Sequence, residues 1–71
     1  MASIEITNAH DVTVIITAYY EDLVSFIKHL KYHAYVVMSE CKEENLHNLY
    51  ESARRDYDAY EEALRILKAE Q

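Results

Sequence analysis

Between residues 44 and 70, Leu46, Ala53, Tyr60 and Leu67 recur every seven residues, and Tyr50, Tyr57 and Leu64 repeat that interval offset by four. The two series make one apolar stripe along a helix, with Glu51, Arg55, Asp58, Glu62 and Arg65 on the opposite face. Glu51–Arg55 and Glu61–Arg65 are acid-before-base pairs at i, i+4, each worth a few tenths of a kcal/mol. Upstream, Ile16, Leu23, Leu30 and Val37 form one series, and Tyr20, Ile27, Ala34 and Cys41 the other. Carried forward, the second series falls on Asn48, whereas the downstream stripe uses Tyr50. A slip of two residues is neither the four of a stutter nor the three of a stammer, so the pattern predicts a break near Ser39–Glu43 between two helices. A tight connection there makes them antiparallel neighbours.

The N-terminal segment supports two readings. Asn8-Ala-His-Asp11 has the logic of a capping box, which starts the first helix near residue 9 and gives it the length of the second. Alternatively, the six β-branched residues Val12–Thr17, with Ile4 and Ile6 alternating upstream, form a β-hairpin before the helices. Capping and helix length together favour the helix. The expectation is therefore an all-α fold, an antiparallel helical hairpin of two long helices at about 9–40 and 43–70. Residues 1–7 are then an N-terminal tail or short strand, and 8–71 a single domain.

Composition reinforces that expectation. The 71 residues contain no glycine and no proline, the usual sources of tight turns and breaks. Half of the residues (51%) are hydrophobic, more than a lone helical hairpin can cover. The first helix carries the surplus, with Tyr19, Val24, Phe26 and Met38 outside its seam. Those four residues are the expected dimer interface, two hairpins closing into a four-helix bundle.

Charge narrows the partners. Thirteen acidic residues against seven basic ones give a formal net charge of −6, which disfavours nucleic acid and anionic membrane surfaces and favours a partner protein with a basic surface. Cys41 is the single cysteine, so no intramolecular disulfide forms; with no secretory leader pattern and only short apolar runs, a cytoplasmic setting is expected.

Candidate chemistry is sparse. Glu44-x-x-His47 would place a carboxylate and an imidazole on one helical face, and His29 and His33 are spaced to clamp one metal, so these four are the metal candidates; no cofactor is expected. Without a glycine loop there is no phosphate cradle of the P-loop or dinucleotide type, and Ser25, Ser39 and Cys41 lack the neighbours that would activate a nucleophile, so no enzyme is expected. Seven tyrosines are many for this length, and Tyr32 and Tyr35 lie on the outer side of the first helix. Together with Glu51, Asp58 and Glu62 they form the candidate partner-binding set. In layout, a short acidic helical hairpin resembles small secretion cochaperones and phage-encoded host inhibitors. The function expected is an acidic interaction module, acting as a homodimer, that masks or chaperones a partner protein. A metal-binding bundle and a structural assembly subunit are the alternatives.

Overall fold

The run Val12–Thr17 follows its strand preference. In the computed structural model, which describes residues 1–70, strand β1 (Ala2–Thr7) pairs antiparallel with β2 (Thr13–Ala18). Two helices follow, α1 (Tyr20–Glu43) and α2 (His47–Ala69). The chain is α+β. The all-α hairpin at 9–40 and 43–70 is overturned, and with it the four-helix bundle and the resemblance in layout. Residues 9–18, read as helix, are instead the hairpin loop and β2.

The capping-box reading failed because an Asn–Asp pair satisfies turns and helix caps with the same hydrogen bonds. The Asn8 Oδ1 accepts the N–H groups of His10 at 2.8 Å and Val12 at 3.1 Å. The Asp11 N–H donates to the Asn8 carbonyl at 3.1 Å, and the Asn8 N–H to the Val12 carbonyl at 3.0 Å. Asp11 then takes φ 59°. This is a three-residue hairpin loop, a turn followed by a left-handed residue, with Asp where Gly is usual. The residues after Asn8 choose between cap and turn, and a β-branched run that can pair with Ala2–Thr7 selects the turn.

The connection between the helices meets the same need. Asn45 has φ 59°, its N–H donates to the Lys42 carbonyl at 3.4 Å, and the Leu46 N–H donates to the Cys41 carbonyl at 2.9 Å. Those paired bonds are a Schellman closure of α1, with asparagine at the left-handed position. Asp11 and Asn45 are the two non-glycine residues with positive φ among those described, and short polar side chains tolerate that region best after glycine. A glycine-free chain can therefore turn sharply, contrary to the expectation from composition.

The hairpin lies on the helix pair. Alternation puts Ala2, Ile4 and Ile6 of β1 on one face with Val14, Ile16 and Ala18 of β2. Ile4 and Ile6 join Leu23 and Ile27 of α1 and Ala63, Leu64 and Leu67 of α2 in one buried cluster. Val24 packs against it, so part of the apolar surplus of α1, expected to face another chain, is covered by the chain's own hairpin. At the loop, the Ala9 N–H donates to Asp56 Oδ1 at 2.9 Å and ties the hairpin tip to the middle of α2. Beyond that point Ala34, Cys41 and Ala53 are buried between the helices alone. No helix of the described residues is long and apolar enough to cross a membrane.

Candidate functional site

The heptad seams place the tyrosines. Because α1 and α2 run antiparallel, Tyr35 of α1 meets Tyr57 of α2, with ring centroids 6.4 Å apart and planes tilted by 46°. Lys31, one turn before Tyr35, sets its ammonium 5.7 Å from the centre of the Tyr57 ring and 3.8 Å from a Glu61 carboxylate oxygen. The Glu61 carboxylate near the Tyr57 hydroxyl favours its neutral form first as a hydrogen-bond acceptor and, with some desolvation and the charges of Glu61, Tyr35 and Asp58, raises its pKa above the ordinary tyrosine value. Tyr57 thus stands at the centre of an aromatic and charged cluster bridging both helices. Tyr60, turned toward the core, is also raised, by burial first and by the charge of Asp56 second.

The acidic side of the cluster continues along α2. Asp58, Glu61, Glu62 and Arg65 line one shallow cleft of about 250 Å³. Glu62 pairs with Arg65 and Glu51 with Arg54 at 3.7 Å, both at i, i+3 in place of the expected i, i+4 pairing. These exposed pairs contribute little to stability. Asp58 has no ion-pair partner among the described residues.

The structure divides the expected partner-binding set. Glu51, Asp58 and Glu62 share one line of α2, and Tyr35 reaches that side through Tyr57. Tyr32 does not. It lies two residues before buried Ala34, so it points away from α2, on the back of α1 one turn from Tyr35. Sequence reasoning placed Tyr57 in the seam, read Glu61 only as the ion-pair partner of Arg65 and passed over Lys31; the i, i+4 spacing of Tyr57 and Glu61 was the available signal. Of the expected dimer-interface residues, Tyr19 and Phe26 are exposed, and Val24 and Met38 are half-buried.

The metal candidates are not brought together. Glu44 caps the C-terminus of α1 and His47 opens α2, with left-handed Asn45 between them, so the Glu-x-x-His pair does not share a helical face. His29 and His33 are exposed on α1, and His33 stands eleven helical residues before Glu44, about 16 Å along the axis. Among the described residues no three His, Cys, Asp or Glu side chains group closely enough to hold a metal ion. His47 instead lines a cleft of about 420 Å³ at the inter-helix turn with Cys41, Lys42, Asn45, Leu46 and Tyr50. Cys41 is a free, buried thiol there. No protein-family model matches the chain, and no curated protein or solved structure matches it either.

Proposed function

We propose that this chain is a small protein-interaction module that masks or chaperones a partner by laying the acidic side of α2 against a basic surface. The observation that supports this is the continuous patch running from the Tyr35–Tyr57 pair through Glu61 and Asp58 to Glu62. Paired tyrosines offer large contact area with little side-chain entropy to lose. The neighbouring carboxylates steer a basic partner into place, and the formal net charge of −6 extends that field beyond the patch. The free thiol of Cys41 fits a reducing, cytoplasmic setting.

The test is affinity capture from the source cell, with the wild type compared against a Tyr35→Ala, Tyr57→Ala double variant that remains helical by circular dichroism. The wild type should retain proteins with basic surfaces. The double variant should lose them, since truncating an interface anchor costs about 2 kcal/mol or more. Raising salt from about 0.1 M to about 1 M shortens the screening length from about 10 Å to about 3 Å and should release the partner. Retention that ignores both changes would place the binding surface elsewhere.

A further inference from the structure

A two-stranded sheet has two unpaired edges, and the edges of this one differ. The loop bond from the Asn8 N–H to the Val12 carbonyl sets the alternation along the ladder. Ile6–Val14, Ile4–Ile16 and Ala2–Ala18 are then the hydrogen-bonded pairs, and Thr7–Thr13, Glu5–Ile15 and Ser3–Thr17 the others. Side chains come closest in the second kind of pair, as the 2.8 Å hydroxyl contacts of Ser3 with Thr17 and of Thr7 with Thr13 reflect. Consequently the backbone groups of Ser3, Glu5 and Thr7 point out along the free edge of β1, and those of Thr13, Ile15 and Thr17 along the free edge of β2.

The β2 edge has none of the usual protections. Natural edge strands are blunted by lysine, proline, bulges or inward charges. Val12–Tyr20 is instead the longest stretch of the chain without a charged residue, and Val12–Thr17 is wholly β-branched. Ile15 is 71% exposed, and Val14, on the face turned toward the helices, is still 46% exposed where β2 outruns their cover.

We propose that β2 pairs antiparallel with β2 of a second copy about a twofold axis at Ile15, joining two hairpins into one four-stranded sheet. In that register Ile15 lies opposite Ile15, Thr13 opposite Thr17 and Val14 opposite Ile16. Every outward backbone group of Thr13, Ile15 and Thr17 gains a partner, and the exposed side of Val14 is covered by an isoleucine. Charge selects this edge for self-association. Two copies at −6 repel, and β2 is the neutral strip along which they can meet. The same operation on β1 would set Glu5 directly against Glu5, which is unfavourable. Pairing β1 of one copy with β2 of the next would not close and would give fibres instead of a dimer. This inference uses neither the Tyr35–Tyr57 patch nor its basic partner.

The test uses the full chain carrying Cys41→Ala with Ile15→Cys, and Cys41→Ala with Glu5→Cys as control, each checked for helicity. A hydrogen-bonded antiparallel pair holds its Cα atoms about 5.5 Å apart, inside the range a disulfide spans. Mild oxidation should therefore convert the Ile15→Cys variant, and not the control, to a covalent dimer. In the unmodified protein, amide exchange at Thr13, Ile15 and Thr17 should slow by about fivefold at a total concentration about ten times the dissociation constant, relative to dilute protein. Sedimentation should give a dimer mass that Ile15→Lys returns to monomer. Equal cross-linking of the two variants, exchange independent of concentration, a monomer at all concentrations, or open-ended polymer would each overturn the proposal.

Discussion

Truncating Ile6 measures how much of the fold depends on the hairpin. Its side chain is 4% exposed and belongs to the cluster with Leu23, Ile27, Ala63, Leu64 and Leu67. Ile6→Ala removes three carbons, about 2.4 kcal/mol of transfer free energy at about 0.8 kcal/mol per methylene. The cavity left beneath β1 adds to this, giving about 3–4 kcal/mol, within the usual range for buried aliphatic truncations. A chain of this length has roughly 4–10 kcal/mol of stability in total, so the variant should be marginal. Its Tm should fall by at least about 12 °C, taking about 4 °C per kcal/mol for a small domain. The control is Leu49→Ala, in the first turn of α2, where the leucine is 57% exposed and the change should stay within about 0.5 kcal/mol. Urea titrations at one fixed protein concentration compare the two, because association adds to apparent stability. If Ile6→Ala unfolds within about 0.5 kcal/mol of wild type, as a detached N-terminal tail would require, the hairpin is not part of the cooperative core.

Asn45→Val should destabilise by about 1–2 kcal/mol, because a β-branched residue cannot take the left-handed position that closes α1, whereas Asn45→Gly should be neutral or slightly stabilising in the same titration. Asp56→Ala leaves the Ala9 N–H without its charged acceptor and should cost about 1–3 kcal/mol, with faster amide exchange at Ala9 as the local readout. Tyr57 and Tyr60 both have folded pKa values raised above their unfolded ones. Their contribution is fully present below the ordinary tyrosine value of about 10 and is lost as pH rises through the folded values. Chemical denaturation between about pH 9 and 12 should show that loss, and Tyr60→Phe should flatten it.

The helix seam was legible because it is periodic. Leu23, Ile27, Ala34 and Cys41 of α1 and Ala53, Leu64 and Leu67 of α2 are the buried positions of the heptad series. The break was legible too, although it falls at Glu44–Leu46, a few residues beyond Ser39–Glu43. The hairpin was legible only as the less favoured of two readings, since Asn8 and Asp11 carry the same local hydrogen-bonding options at a cap and at a turn. Its resolution depends on Ile4 and Ile6 finding Leu67 and Ala63, a contact with no local trace. For the same reason Ala63 was missed, because its burial comes from β1 and not from the seam. In the candidate site the acids of α2 were readable from spacing, but the Tyr35–Tyr57 meeting follows from the antiparallel offset of the helices, which no single helix encodes.

The packing of β1 against α2 also has a consequence for synthesis. Ile4 and Ile6 are made about sixty residues before Leu64 and Leu67, which cover them. At about 5–20 residues per second that interval is about 3–12 s. A hairpin can close in about 1–10 μs. During translation the strands can therefore pair long before their helical cover exists, leaving Ile4, Ile6 and the neutral edge of β2 open to other nascent chains for seconds. On a polysome, where nascent copies are neighbours, that interval is one in which the β2 edge can pair with a strand of another chain.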